Sequence, residues 1–306
     1  MKTATEAQGT QSRDRHIGLW AYGLISLYIC AAPAYGAFEA VELGSRPSGM
    51  GSAYVAVADD VSAIFWNSAG LARIDRHELT MSYMELYSLV SYSSLGYAQR
   101  IKNAPLGFGL VSSSDADGIY REMSLILSAA HSVWRGLSMG SNIKYLSADV
   151  NTGDVRIGGG RGVSLDLGCQ WRVMNDLLSF GVAFQNLVGC VWYSREATGD
   201  ILGRKYSQMP GFSYKVGSSV SLKHLLGWLS NAVFVVELSD GDFHTGAECD
   251  FWNVLAIRAG FRTGNALTRS VTAGFGMKLS GIRLDYAYIG SEVGAQTSQF
   301  SISVNW

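Results

Sequence analysis

Charge is scarce in this sequence: Asp, Glu, Lys and Arg make up 16% of its 306 residues, against about 25% in ordinary soluble domains. The formal net charge is -1, which leaves no basic excess to draw nucleic acid. Only 4 prolines occur, which excludes a Pro-rich disordered chain. Beyond residue 37 the cysteines are Cys169, Cys190 and Cys249, widely spaced and without a C-x-x-C pair, so neither a disulfide framework nor a zinc knuckle is available. Nor does any charge-free run beyond that point approach the roughly 20 residues of a membrane-spanning helix. What is abundant is hydrophobic residues, 48%, and glycine, 36 residues. A membrane protein of this composition must cross as a closed barrel, because lipid satisfies no open sheet edge.

Residues 1–37 read as a leader. Polar Met1 to His16 carries Lys2, Arg13 and Arg15, and the uncharged apolar stretch from Ile17 ends in Ala31, Ala32, Pro33, Ala34, Tyr35, Gly36 and Ala37. That small-residue run offers cleavage after Ala34, Gly36 or Ala37, as in a signal peptide.

From Glu78 the dominant signal is alternation with period two in segments of about ten residues, the length a tilted membrane strand needs. In the last segment Phe300, Ile302, Val304 and Trp306 oppose Ser301, Ser303 and Asn305. Val163, Leu165, Leu167, Cys169 and Trp171 likewise alternate with Ser164, Asp166, Gly168, Gln170 and Arg172. Fourteen such segments begin near residues 78, 91, 105, 121, 136, 162, 177, 211, 231, 243, 254, 268, 281 and 298, and an even number is what bacterial barrels have. Long polar loops are expected at 112–119, 147–160, 187–210 and 289–297, and short turns at the other end. Leu222 to Ser230 is too long for such a turn and reads as an interfacial helix. The predicted fold is all-β, a transmembrane antiparallel barrel over 78–306, in the outer membrane of a double-membraned bacterium. Phe300, Ile302, Val304 and the terminal Trp306 form an aromatic-ended strand of the kind the barrel insertion machinery recognises.

Residues 38–77 do not alternate. Gly44, Gly49 and Gly51 permit tight turns, Asp59 or Asp60 can cap a short helix running through Phe65, and Asn67 and Gly70 are helix-ending residues. These features predict a compact plug. Its stretch GMGSAYVAVADDVSAIFWNSAGL resembles the N-terminal signature of the FadL-like outer-membrane superfamily, in particular its PorV/PorQ-type branch. GVAFQNL at 181–187, NVLAIRAGFRTG at 253–264 and the C-terminal DYAYIGSEVGAQTSQFSISVNW agree with it. Ser68 stands where the pattern usually has Pro, so the turn loses its fixed φ.

The resemblance implies 14 strands around a luminal hatch formed by 38–77, with a hydrophobic small molecule, such as a long-chain fatty acid, bound against the hatch and released sideways into the membrane lipid. Candidate contacts are Met50, Tyr54, Val57, Ile64, Phe65, Trp66 and Leu71. Lumen-facing Lys144, Arg172, Lys215, Arg258, Arg262, Lys278 and Arg283 share the interior with Asp166, Glu237, Glu248, Asp250 and Asp285, so mutual ion pairs are expected. The other branch of the resemblance implies an outer-membrane component of the type IX secretion pathway, binding a protein partner through 187–210 with Trp192, Tyr193 and Tyr206. An enzyme is disfavoured. His244 and Glu248 lack further metal ligands, Gly49 and Gly51 lack a strand-to-helix dinucleotide context, and no G-x-S-x-G occurs. No cofactor or metal is implied.

Overall fold

The computed structural model describes residues 38, 42–102, 104–153, 155–195, 203–226, 228–265, 268–292, 294 and 296–306. The expected leader, 1–37, lies outside the described residues, as do 39–41 of the expected plug.

The strands are β1 Glu78–Leu86, β2 Val90–Ile101, β3 Ala104–Asp115, β4 Tyr120–Trp134, β5 Leu137–Thr152, β6 Val155–Val173, β7 Leu178–Arg195, β8 Arg204–Gln208, β9 Ser213–Leu226, β10 Leu229–Ser239, β11 Asp242–Phe251, β12 Leu255–Arg262, β13 Ser270–Leu279, β14 Ile282–Ser291 and β15 Gln296–Asn305. Neighbours pair antiparallel, β15 returns to β1, and β7 pairs with β9 past β8, so 14 strands close a ring. The short β8 is an additional strand paired with the far end of β7. Outward positions are apolar and exposed, among them Leu127, Ile143, Val163, Val188, Val271 and Phe300, while inward positions such as Ser82, Asn142, Asp166 and Gln299 are polar and buried. This inversion of the soluble pattern suits a hydrocarbon solvent.

Turn chemistry sets the ends. Asp240 and Gly241 both have positive φ, 51° and 94°, the conformation a two-residue hairpin demands and Asp-Gly accepts. Most of the expected long loops are instead strand. β5, β6 and β7 have 16, 19 and 18 residues, well beyond the roughly 9–11 that cross a bilayer. Their glycine-rich far ends, such as Gly158 to Gly162, hide the alternation because glycine carries no side chain to mark its face; Gly158, Gly160 and Gly162 are buried there and Arg161 is exposed. The expected helix at 222–230 is likewise strand, the end of β9 and the start of β10. Leu222 there keeps the outward, exposed parity of Val216 and Val220.

Residues 42–77 lie inside the ring. They form α1 Ser45–Gly49, α2 Ala63–Trp66 and a 3-10 turn Ser68–Arg73. The sequence implied one helix capped by Asp59 or Asp60; the residue preceding α2 is Ser62, and Asp60 accepts from its backbone N (3.0 Å) and its hydroxyl. Asn67 ends α2 and caps the 3-10 turn, accepting from the Ala69 N–H. Ser68, where the sequence resemblance implied a proline, begins that turn. Met50, Tyr54, Ile64, Trp66 and Leu71 form the centre of one core cluster that also takes in Ala98, Ile126 and Val235 of the wall. Each such side chain contributes about 1.5–3 kcal/mol by burial.

Candidate functional site: the interface between the inner segment and the barrel

Charge fastens one side of the inner segment. Arg46 of α1 places Nε 2.9 Å and Nη2 2.8 Å from the Glu248 carboxylate of β11, and its Nη1 reaches Asp59 at 2.7 Å and Asp60 at 3.1 Å. Glu248 also pairs with Arg258 (2.5 Å), which holds Asp285 at 2.8 Å, and Arg283 returns to Asp60 at 2.6 Å. The result is a closed circuit in which every buried charge has a counter-ion, the condition under which burial of charge is tolerated. Burial by itself would raise the Asp60 carboxyl; Arg283 and then Arg46 outweigh it and hold it well below the usual carboxylate range. Glu42 is likewise lowered, burial being overcome by Arg262 in particular. The Arg262 guanidinium pairs directly with that carboxylate.

On the other side the wall's amides and carboxylates satisfy the backbone of the inner segment. Asn142 donates to Ile64 O (2.9 Å), Gln185 to Phe65 O (2.7 Å) and Gln170 to Ala56 O (2.9 Å). Asn67 reaches outward, donating to Cys169 O (3.0 Å) and inward to Val55 O (2.8 Å). Glu237 accepts from the N–H groups of Tyr54 (2.7 Å) and Val55 (2.8 Å). Glycines let the two backbones touch. A Cβ on Gly246 would strike the Met50 carbonyl, and one on Gly140 would strike the backbone of Ser68 and Ala69.

A small cavity of about 70 Å3 opens beside this seal, bounded by Leu43, Ile64, Phe65, Tyr92, Glu122 and Gln185. Of the seven predicted contacts only Ile64 and Phe65 border it; Met50, Tyr54, Val57, Trp66 and Leu71 are packing residues of the inner core. Trp66 is fixed by a bond from Nε1 to Leu43 O (2.7 Å), an edge contact with Tyr54, and the Lys215 ammonium 4.6 Å from its ring centroid. Of the motif residues, Gly49 meets Gly274 of the wall, Gly51 has φ 65°, and Gly70 packs against Ala58 O. Lys144, Arg258, Arg262, Lys278 and Arg283 each lie within 4.0 Å of a carboxylate. Cys169, Cys190 and Cys249 are free thiols.

The amides Asn142, Gln170 and Gln185 and the wall glycines were not singled out in the sequence, although they stand on the polar face that period two defines. A larger space of about 450 Å3 lies at the projecting end, beside Glu42, His244 and Arg262. On the outer wall a groove of about 870 Å3 runs over the β15–β1–β2 seam between Met81, Tyr83, Phe300 and Ile302, reaching inward to Ser82, Ser94 and Ser301.

A 14-stranded barrel closed around its own N-terminal segment defines the class of fold. No protein-family model and no curated protein matches the sequence. Solved structures do match in fold. The P. putida toluene transporter TodX superposes with TM-score 0.60 at 11% identity, over 86% of this chain and 98% of that one. The Ralstonia pickettii toluene transporter TbuX gives 0.57 at 15% identity, over 86% and 97%. A Pseudomonas aeruginosa FadL homologue gives 0.56 at 12%, over 86% and 98%. At such identities the likeness is one of fold.

Proposed function

We propose that the protein is a FadL-like outer-membrane channel for hydrophobic small molecules, with 38–77 as its hatch and the projecting ends of β5–β7 outside the cell. The observation that carries this reading is the cavity between Ile64 and Phe65 of the hatch and the wall, inside a fold shared with proteins described as toluene transporters and a FadL homologue. An apolar solute taken into such a lumen avoids water and the polar surface of the membrane. At about 70 Å3 the cavity is smaller than the roughly 150 Å3 that accommodates a benzene ring in an apolar interior, so passage requires the hatch to shift. For lateral release the candidate place is the outer-wall groove over Ser82, Ser94 and Ser301 at the β15–β1–β2 seam; the three strands pair there without interruption, so release requires their hydrogen bonds to part.

A long-chain fatty acid is the solute the sequence resemblance implies. At the cavity the lining cation Lys144 already pairs with Asp166 at 2.8 Å, which favours a neutral hydrophobe within the same reading, since a carboxylate there would have to displace that partner; Arg172 and Lys215, which do not line it, have no carboxylate within 4.0 Å among the described residues. Uptake into proteoliposomes tests both: toluene and a fluorescent long-chain fatty acid are offered to the barrel extracted from the outer membrane, with and without the Phe65→Ala change. Saturable uptake that responds to Phe65→Ala is expected, with toluene preferred. A folded barrel that passes neither sinks the reading and turns attention to a secretion role. For that role the surface at 187–210 is the extended end of β7 with β8 rather than a loop, with 196–202 outside the described residues.

A further inference from the structure

The small cavity against Phe65 has two unlike sides. The inner segment lends it Phe38, Leu43, Ile64 and Phe65, all apolar, whereas the wall lends it Ser113, Glu122, Ser124, Lys144, Asp166 and Gln185 beside its hydrocarbon. The charged members are already engaged. Lys144 lies 2.8 Å from Asp166, and Glu122 accepts from the Tyr120 hydroxyl and from Phe38 N at 3.2 Å. The neutral members are the two serines and Gln185. Gln185 Nε2 donates to Phe65 O at 2.7 Å; a carbonyl only accepts, so this bond fixes which end of the amide is which and leaves Oε1 over. Gln185 is 6% exposed, and among the described residues its Oε1 has no hydrogen-bond partner. Folded proteins rarely leave a buried acceptor without a donor.

The backbone is shaped to hold this side chain inward. β7 slips against β6 between Leu165 and Leu167, and Asn186 takes φ 53° there, its N–H on Asp166 Oδ1 at 2.7 Å. This bulge buries the consecutive side chains of Gln185 and Asn186 together, which a regular alternating strand does not do. Oε1 is closed off while Phe65 is seated. A ring enters only when Phe65 gives way, and the amide that holds Phe65 O is then among the first polar groups it meets.

We propose that the solute is an aromatic molecule bearing one neutral hydroxyl, of the phenol class, and that Gln185 Oε1 receives its proton while the ring lies against Ile64 and Phe65. This deepens the channel reading above and rests on it. The free atom is an acceptor, so the solute must bring a donor; a methyl, ether or carbonyl substituent brings none. A carboxylate brings no proton either and would compete with Asp166 for Lys144. An ammonium only donates, whereas a hydroxyl also accepts, so Ser113 and Ser124 can complete its bonds. A phenol keeps its proton at neutral pH, its pKa being about 10. Phe38, Phe65 and Tyr92 border the same space and suit an aromatic ring through edge and offset contacts. Gln185 is on this account the residue that sets specificity.

The test is fluorine NMR of para-fluorophenol, para-fluorotoluene and para-fluoroanisole at neutral pH, titrated against the full-chain protein extracted from the outer membrane and held in nanodiscs, with empty nanodiscs subtracted. An apolar cavity would favour the toluene, because the phenol must shed water from its hydroxyl. The expected order is the reverse, with saturable binding of the phenol about threefold tighter than that of the toluene and the anisole, which has the oxygen without the proton, no tighter than the toluene. Gln185→Met, similar in length and without the acceptor, should lower the phenol-to-toluene ratio about tenfold. Because Gln185 also holds Phe65 O, protease accessibility of 42–77 is read alongside, and S113A/S124A, which leaves that bond in place, should lower the ratio about threefold. Tighter binding of the toluene by the wild type, an anisole that equals the phenol, or a ratio that neither variant moves overturns the proposal, and saturable toluene binding in the same titration leaves the channel reading standing. Absence of saturable binding by all the probes removes that reading and this proposal with it.

Discussion

Arg46 and Glu248, 202 residues apart in sequence, meet in a bidentate pair between the inner segment and β11, with Nη2 2.8 Å from Oε1 and Nε 2.9 Å from Oε2. Arg46→Ala is expected to destabilise the seated inner segment by less than the roughly 3–5 kcal/mol of a stranded buried charge, because Glu248 keeps Arg258 and Asp60 keeps Arg283. Replacing both residues by Met should cost much less, because the desolvation of two ions is removed with their attraction. Protease accessibility of 42–77 in the folded barrel checks this. A double variant as open as the single one would refute the account.

Gly246→Ala isolates close approach from charge. The added methyl points at the Met50 carbonyl, and both partners are backbone, so neither can rotate away. Overpacking of this kind costs about 1–3 kcal/mol. The outward face of β11 is untouched, so the variant should assemble and show heat-modifiable migration while its hatch becomes more protease-sensitive. Unchanged protection would mean that the two backbones are not in contact.

The barrel was largely legible because period-two alternation is a direct imprint of a wall between lipid and lumen. Strand starts at 78, 178, 242 and 255 fall within about a residue of the expected 78, 177, 243 and 254. It failed where that imprint fades, as at Gly158 to Gly162, since glycine carries no side chain to mark its face. The site was legible only in part. Trp66 and Phe65 are adjacent, equally apolar and members of one buried cluster, yet only Phe65 also borders the cavity, because successive residues of α2 point about 100° apart. Ion pairs were anticipated in kind, since Arg258, Arg283 and Asp285 share an inward parity; the role of Arg46 depends on a fold-back that no local pattern encodes. Nor does a glycine announce whether it serves a turn or a contact.

That contrast separates two substitutions the sequence would treat alike. Trp66→Ala removes a ring held by Leu43 O, Tyr54 and Lys215, and should cost about 3–5 kcal/mol by loosening the whole hatch. Phe65→Ala instead enlarges the cavity at its margin and should change solute uptake severalfold with the hatch still seated. Parallel uptake and proteolysis measurements decide. Identical profiles for the two variants would show that Phe65 has no separate role.

Trp306 closes the ring in a second way. Its backbone exchanges hydrogen bonds with His77, 3.1 and 3.2 Å, and its ring stacks on the His77 ring with centroids 5.5 Å apart. Deleting Trp306 removes both this clasp and the terminal aromatic of the Phe300, Ile302, Val304 series, and should reduce heat-modifiable protein in the outer membrane several-fold. Trp306→Phe should restore most of it, because it keeps an aromatic ring and the backbone bonds. Normal levels after deletion would remove any assembly role.

Acid should unseat the inner segment. Asp60 has its carboxyl lowered by Arg283 and Arg46 against burial, and Glu42 by Arg262. A group depressed in the folded state contributes stability that is fully present above its unfolded value, about 4 for a carboxyl, and is lost as pH falls through the folded value. The protection that Asp60 and Glu42 contribute should therefore decline from about pH 4 downward. Asp60→Asn should lower protection at pH 7 and flatten the acid limb, since the titrating partner of Arg283 is gone. Planar-bilayer conductance of wild type and D60N across this range reads the seating directly. An acid limb unchanged by D60N would assign control of the inner segment at low pH to a different group.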